Sequence, residues 1–326
     1  MGPSKNSRGS GFLEVWVSPN LGSKDFVDLA KYPEQWSRAK SRVTVIGFYD
    51  GQVRPGYCDI CGVNTLSNFV NAVPGGFFQW LNRNGIKIAI ETGSVKGWNC
   101  GRLPDDAIGN TLEAISSVEA NGGRVSYIAM DEPFASGAPP KDPTSWLNPC
   151  GYGVEKTAEM VKYYTDGVNR VYPGVRIGLI EPYPHFGPLE IESFVNALEA
   201  IGVHLPFFHL DFDPNYRDVD FGNGIRELRD FFAQKGIPFG VIIIGGNGYS
   251  NESVFNGAMN MAMRVNSTIG LGSQDHLIVQ SWLNVPGQGT TATGHSDLRL
   301  YPDNLPESVP ATMTGTVNAI FEMSSK

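Results

Sequence analysis

The chain has 326 residues, of which 41% are hydrophobic and 18% are charged. This apolar content is sufficient for a large core and excludes an intrinsically disordered protein. The 25 Lys and Arg against 33 Asp and Glu give a formal net charge of −8, which argues against nucleic acid or an anionic membrane surface as a partner and favours a neutral or cationic ligand. No apolar run approaches the roughly 18 residues that a membrane span requires, so we expect a soluble protein.

The first residues differ in composition from the remainder. Residues 1–11 are polar and contain no apolar segment of the kind found in a signal peptide, so we interpret them as a flexible leader or tag remnant. Residues 12–326 are expected to form one domain, because single α/β barrels reach this length. Nothing in the sequence indicates an oligomeric state.

Strand and helix patterns alternate along the chain. Short β-branched apolar runs end in polar residues or glycine, and amphipathic stretches lie between them. The predicted strands are residues 13–18, 43–49, 86–91, 125–131, 175–181, 206–213, 239–244 and 276–282. The predicted helices are residues 64–84, with a break near Pro74, and 105–121, 154–171, 190–201, 225–234, 253–265 and 306–321.

This order predicts a single (β/α)8 TIM barrel with extended βα loops, because about eight strand–helix units follow one another without a run of hairpins. The alternative is a doubly wound open sheet. That fold usually has a glycine-rich turn after its first strand, whereas residues 17–20 here read Val-Ser-Pro-Asn. The Pro- and Gly-rich residues 137–153 are interpreted as a long loop after the fourth strand, so no linker divides the chain.

Polar side chains recur where the predicted strands end. In a barrel these ends share one rim, which carries the chemistry, and carboxylates within strands are costly to bury unless they line a site. The residues are Asn20, Tyr49, Asp50, Glu91, Asp131, Glu132, Glu181, His209, Asp211, Asp213, Asn247 and Gln280. Asp50 and Asp213 also fit turns, and His209 also fits a buried interior histidine. The ring of acids nevertheless indicates a site.

The most specific motif is Asp131-Glu132-Pro133, within YIAMDEPF at the end of the fourth strand. It resembles the Asn-Glu-Pro signature at that strand in the large retaining clan of (β/α)8-barrel glycoside hydrolases. The resemblance implies a glycosidase in which Glu132 is the general acid/base. That clan carries its nucleophile at the seventh strand, where residues 244–248 (IGGNG) contain no acid. The second carboxylate is therefore expected elsewhere.

Cleavage of a glycosidic bond requires one protonated and one ionised carboxyl group. We predict Glu132 as the acid, because the neighbouring Asp131 would raise its pKa by like-charge repulsion. Glu181, at the end of the adjacent strand, is the first candidate for the nucleophile or base, Asp211 is the second and Glu91 the third. A close pair with Glu181 would suit a retaining enzyme, and a wider pair with Asp211 an inverting one.

Aromatic and amide side chains in the predicted loops indicate a carbohydrate substrate, because rings stack on the apolar faces of sugars and polar groups bind hydroxyls. The predicted substrate contacts are Glu91, Trp98, Tyr183, His209, Asp213, Tyr216, Asn247, Gln280 and Trp282. The resemblance implies a further role for Trp282, which is placed like the floor tryptophan of many barrel glycosidases. The low positive charge favours a polysaccharide or oligosaccharide that is neutral or bears amino groups.

The four cysteines, Cys58, Cys61, Cys100 and Cys150, fall in three neighbouring predicted loops. Two disulfides, a structural zinc site and free thiols all fit this arrangement. The disulfide interpretation implies a secreted or periplasmic protein. We predict no cofactor and no catalytic metal, because there is no H-E-x-x-H motif and the five histidines are dispersed.

Two other functions fit the same residues. A carbohydrate-binding barrel without catalysis would account for the missing acid at the seventh strand. A metal-dependent sugar isomerase or lyase would bind a divalent cation through Glu91, Glu132, Glu181 and Asp211, and a chelator would abolish its activity.

Overall fold

The computed structural model describes residues 14–23, 25–56, 65–139, 150–212, 221–245, 250–273, 275–281 and 302–324. Eight parallel strands close into a barrel in chain order, which confirms the predicted (β/α)8 fold. The strands are β1 Glu14–Ser18, β2 Val45–Tyr49, β3 Lys87–Thr92, β4 Val125–Asp131, β5 Arg176–Tyr183, β6 Phe208–Phe212, β7 Phe239–Ile243 and β8 His276–Gln280. The pairing of β1 with β8 closes the barrel and sets Ser18 opposite Gln280.

The helices surround this barrel and pack on it through the larger of two apolar clusters. They are α1 Asp28–Lys31, α2 Ser37–Lys40, α3 Asp50–Val53, α4 Thr65–Val70, α5 Phe77–Arg83, α6 Asp105–Ala120, α7 Pro133–Gly137, α8 Val154–Val171, α9 Pro188–Ala200, α10 Phe221–Lys235, α11 Asn251–Ile269 and α12 Met313–Ser324. In the described ranges, none of the helices has the length and apolar character needed to cross a membrane.

One predicted helix divides where the sequence indicated, and another begins later than predicted. The stretch 64–84 divides at Pro74 into α4 and α5, as the predicted break indicated. The last helix begins seven residues later than predicted, at Met313. The Thr312 hydroxyl donates to the carbonyl of Pro306 at 2.9 Å and accepts the N–H of Gly315 at 3.0 Å, so residues 306–312 form a turn that ends in a helix cap.

The barrel interior is filled by aromatic rings. Trp16 lies 4.8 Å from Tyr127 and 5.2 Å from Phe207, measured between ring centroids. Gly178 on β5 makes room for these rings, because a Cβ atom at this position would lie 2.5 Å from the ring of Phe207. The interior cluster is therefore a packed core rather than a channel.

Polar groups close the N-terminal end of the interior. The Tyr127 hydroxyl donates to Glu14 at 2.6 Å, and Lys87 forms an ion pair with Glu14. The Arg176 guanidinium lies 4.0 Å from the centroid of the Tyr127 ring. Because these groups satisfy one another, the polar chemistry left for a ligand lies at the C-terminal ends of the strands.

Candidate active site

The first part of the site is a hydrogen-bonded group on three strands. The Gln280 side-chain amide donates to the carboxylate of Glu91 at 2.8 Å and to the hydroxyl of Tyr49 at 3.0 Å. Tyr49 and Glu91 face each other in the β2–β3 register, so both project from the same level of the barrel. Burial raises the pKa of Glu91 well above its usual range, and the charge of Asp131 adds to this effect.

Glu132 directly follows β4 in a left-handed backbone conformation with φ 48° and ψ 50°. It is the only non-glycine residue with positive φ in the described part of the chain. Such a conformation costs roughly 1–3 kcal/mol and is found most often at functional sites. Its side chain is 7% exposed, and burial, followed by the charge of Asp131, raises the pKa of Glu132 well above its usual range.

The turn at Glu132 brings two adjacent carboxyl groups to the same place. In a regular strand Asp131 and Glu132 would point to opposite faces. Here both act on the ammonium of Lys96, in the loop after β3, whose Nζ lies 2.5 Å from Oδ2 of Asp131. Burial alone would lower the pKa of Lys96, but the neighbouring carboxylates raise it. The ammonium of Lys96 is therefore held among several acids.

Asp211 is a further acid on a neighbouring part of the barrel. It lies two residues after His209 on β6, so the two side chains are on the same face of that strand. Asp211 is paired with Pro182 in the β5–β6 register, and its charge acts on both Glu132 and Glu91. Two strand steps separate β4 from β6, so Asp211 and Glu132 approach the rim from different sides.

Glu181 lies close to Lys96, Asp131 and Glu132, but its orientation does not fit the predicted role of nucleophile or base. Its neighbour Ile180 belongs to the interior cluster, so Glu181 points out of the barrel. Its two carboxylate oxygens accept the backbone N–H groups of Phe134 at 2.7 Å and Ala135 at 3.1 Å. Glu181 thus holds the first turn of α7, which directly follows Glu132. Burial raises the pKa of Glu181 to about 8, although the two N–H donors act in the opposite direction.

Two predicted substrate contacts are also located elsewhere. Tyr183 is buried between the barrel and the helices, with its ring 6.2 Å from that of Phe212. His209 lies one layer below the acids, where its Nε2 is 2.9 Å from Nδ1 of His276 and its ring meets the edge of Trp16. Both side chains are part of the packed core and not of the candidate site.

Trp98 lies at the mouth of the site. It belongs to a short 3₁₀ turn, Gly97–Asn99, and 60% of its surface is exposed. An added Cβ atom at Gly93 would touch the side chains of both Lys96 and Trp98, so these two residues lie on the same side of the loop. An exposed indole beside a ring of acids is a surface on which a sugar ring can stack.

A disulfide joins the two loops that flank the acids. Cys100 and Cys150 are bonded, with their Cα atoms 5.1 Å apart. The structure thereby contradicts a zinc site that uses these two cysteines as ligands. Among the described residues, no three His, Cys, Asp or Glu side chains are grouped so that they could hold a metal ion.

Several predicted residues lie outside the described residues, and they keep the status of predictions. They are Cys58, Cys61, Asp213, Tyr216, Asn247 and Trp282, together with the leader, residues 1–11.

Sequence reasoning assigned no role to Lys96 or Tyr49. Tyr49 was recognisable as a strand-end residue, but a tyrosine at this position fits a buried core residue as well as a site residue. Lys96 lies five residues after Glu91, in the segment Gly-Ser-Val-Lys-Gly. A single basic residue in the loop just after a strand-end acid is the sequence signal that would have identified Lys96.

No protein-family model matches the sequence, and no curated protein matches it. The fold is similar to solved structures that are mostly glycoside hydrolases on TIM barrels. A glucosidase from Croceicoccus marinus has 14% identity and a TM-score of 0.50, over 97% of this chain and 68% of that chain. A psychrophilic family 10 endo-β-1,4-xylanase has 13% identity and a TM-score of 0.50, over 95% and 96%. The catalytic domain of a family 53 glycoside hydrolase from Ignisphaera aggregans has 13% identity and a TM-score of 0.50, over 86% and 87%. Identities of this size show the fold alone.

Proposed function

We propose that the chain is a glycoside hydrolase that cleaves a polysaccharide or oligosaccharide, with Glu132 as the general acid. The observation that carries the proposal is the buried Glu132 carboxyl, held in a strained turn directly beside a second carboxyl group. A carboxylic acid with a raised pKa remains protonated at the pH where an ordinary glutamate has lost its proton, so it can protonate the leaving oxygen.

The proposal assigns Asp211 as the second carboxylate. Glu181 has both of its oxygens occupied by backbone N–H groups. Burial raises the pKa of Glu91, which disfavours the ionised form that a base or nucleophile needs. Asp211 lies two strands from the end of β4, and its charge acts on Glu132. The proposal takes the two groups as an inverting pair, in which a water molecule fits between the base and the sugar. Asp211 would then deprotonate that water.

The substrate and its location follow from the same surroundings. Trp98 would stack on one sugar ring, and Gln280 and Tyr49 would bind hydroxyl groups close to Glu91. Lys96 is already paired with Asp131, which makes a neutral or amino-bearing glycan a better fit than a phosphorylated one. We also propose that the protein works outside the cytosol, since disulfides such as Cys100–Cys150 persist in oxidising compartments.

Release of reducing ends from a panel of polysaccharides tests the proposal. The wild-type chain should hydrolyse at least one glycan, and Glu132→Gln and Asp211→Asn should each lower kcat by at least about 100-fold, the usual contribution of an acid or base. Proton NMR of the released anomer would show inversion. As a control, Glu159→Gln changes a glutamate on α8 that pairs with Lys156 and should leave the rate unchanged.

The alternative of a barrel that binds sugar without cleaving it has its own outcome in this experiment. Glycan binding by the wild-type chain, without release of reducing ends from any substrate that it binds, would contradict the hydrolase proposal. An unchanged rate for Glu132→Gln would remove the assignment of the acid.

A further inference from the structure

We infer that Lys96 is a positioning residue that keeps Asp131 ionised and thereby leaves the catalytic proton on Glu132. This inference rests on the proposed function, in which Glu132 is the acid. Lys96 itself forms no bond to the substrate in this scheme.

The contact that carries the inference is the ion pair between Nζ of Lys96 and Oδ2 of Asp131, at 2.5 Å. The lysine side chain is 15% exposed and that of Asp131 is 35% exposed, so water screens the pair only in part. The charged groups that face Lys96 come from three strands and the turn after β4. They are Glu91 on β3, Asp131 and Glu132 at the end of β4, and Glu181 on β5.

The charge of Asp131 acts on Glu132, so ionisation of one carboxyl group disfavours ionisation of the other. A cation in contact with one of them favours the ionised form of that group. Lys96 contacts Asp131, whereas it acts on Glu132 only through space. The proton therefore stays on Glu132, which is the more deeply buried of the two.

The loop around Lys96 is built to keep this contact. The backbone N–H of Lys96 donates to the side-chain oxygen of Asn99 at 3.0 Å, and one residue later Cys100 forms the disulfide with Cys150. The N–H of Cys150 donates to the carbonyl of Ser136 at 2.8 Å, and the N–H of Ser136 donates to the carbonyl of Glu132 at 3.0 Å. A continuous set of bonds thus joins the loop of the lysine to the turn of the glutamate.

Carbon-13 NMR of labelled Asp and Glu carboxyl groups tests the inference without any substrate. Resonances of Asp131 and Glu132 would be assigned by their loss in Asp131→Asn and Glu132→Gln. In the wild-type chain, Asp131 should remain ionised over the pH range in which Glu132 titrates. In Lys96→Met, Asp131 should take up part of the proton, so its apparent pKa rises, and Lys96→Arg should restore the wild-type titration.

Activity gives the second readout. Removal of a cation raises the pKa of nearby acids, so the alkaline limb of the kcat/KM pH profile, which reports Glu132, should move to higher pH in Lys96→Met. Because the proton is then shared with Asp131, kcat should fall by about tenfold. Lys96→Arg should keep the profile. Lys162→Met, which removes an exposed ion pair to Asp166 on α8, is the matched control and should change neither readout.

The two readouts separate failure of the inference from failure of the proposed function. An Asp131 titration that is identical in the wild-type chain and in Lys96→Met would overturn the inference and leave Lys96 as a purely structural residue. Absence of hydrolysis by the wild-type chain would overturn the proposed function, while the NMR titration would still decide where the proton resides.

Discussion

The left-handed turn at Glu132 is held from several sides. The backbone N–H of Glu132 donates to the carbonyl of Ile180 at 3.1 Å, and the carboxylate of Glu181 binds the next two free N–H groups of the chain. Glu181, on β5, thus caps the N-terminus of α7, although the cap of a helix usually comes from the residue just before it. Its contribution to activity would be made through the placement of Glu132.

Replacement of Glu181 by Gln tests this role. The amide oxygen can accept one of the two backbone N–H groups, but the NH₂ group is itself a donor and leaves the other N–H without an acceptor. We therefore expect the free energy of unfolding to fall by about 1–3 kcal/mol and kcat to fall as well. Urea denaturation and steady-state kinetics measure the two effects. Glu307→Gln is a matched control, because Glu307 accepts the N–H groups of Arg38 and Ala39 in the helical layer before β2. It should lose stability and keep its activity.

The raised pKa of Glu132 predicts the pH dependence of the reaction. A general acid works only while protonated, so kcat/KM should fall as the pH rises through this pKa. The fall should come at a higher pH than the usual glutamate value of about 4.3 would give. A nitrophenyl glycoside, whose leaving group needs no proton, should show this limb weakly or not at all. The same alkaline limb for both leaving groups would argue against Glu132 as the acid.

At the level of elements, the disulfide joins the loop after β3 to the segment that follows α7. It closes a loop with a sequence separation of 50 residues between Cys100 and Cys150. Tyr152 reinforces the same junction, because its hydroxyl accepts the N–H of Gly101 at 2.5 Å. A covalent bond and a hydrogen bond therefore link the loop that carries Lys96 and Trp98 to the segment after α7.

Removal of this cross-link should affect both stability and activity. We expect Cys100→Ser combined with Cys150→Ser to lower the free energy of unfolding by roughly 2–4 kcal/mol, the usual effect of losing a disulfide of this loop length. The release of the Lys96 loop should also lower kcat and shift the pH profile as Lys96→Met does. Urea denaturation and the pH profile of kcat/KM are the measurements. A loss of stability with an unchanged profile would mean that hydrogen bonds alone hold the loop.

The same elements show what sequence patterns can predict. Strand order and the polar residues at strand ends follow from alternation and from the βα repeat, so the barrel and the convergence of Glu91, Asp131 and Asp211 at one rim were predictable. The side of β5 to which Glu181 points was not predictable. A shift of one position along a strand moves every side chain to the opposite face, and the sequence does not show which residues of β5 face the barrel interior. Lys96 was missed because its partner depends on the path of a loop.

Across the whole molecule, the buried histidine pair couples folding to acidity. Burial lowers the pKa of His276 to about 4, and burial together with His276 lowers the pKa of His209 well below its usual range. The unfolded chain, with histidine pKa values near 6.5, binds protons that the folded chain does not. The histidine pair therefore contributes stability that is lost as the pH falls from about 6.5 towards 4.

We expect this loss to approach about 1.4 kcal/mol per pH unit for each histidine. The raised pKa of Glu181 acts in the opposite direction between about 4.5 and 8, because the folded state then holds a proton that the unfolded chain has released. Comparison with His276→Gln isolates the histidines. The raised pKa values of Glu91 and Glu132 act in the same direction as that of Glu181, so the measured quantity is the difference in stability between the wild-type chain and this variant. Urea denaturation at several pH values should show the wild-type chain losing stability relative to the variant as the pH falls from about 6.5 towards 4, and a difference that does not change with pH would contradict the role of the histidine pair.

The missing side chain at Gly178 has a consequence for how this barrel can change over time. Gly178 on β5 and Phe207, which precedes β6, fill the same space inside the barrel, so neither residue can be enlarged unless the other becomes smaller. Lineages that place alanine or valine at 178 should show a smaller residue than Phe207 opposite it. Designers who wish to widen the floor beneath the acids should alter these two sites as a couple.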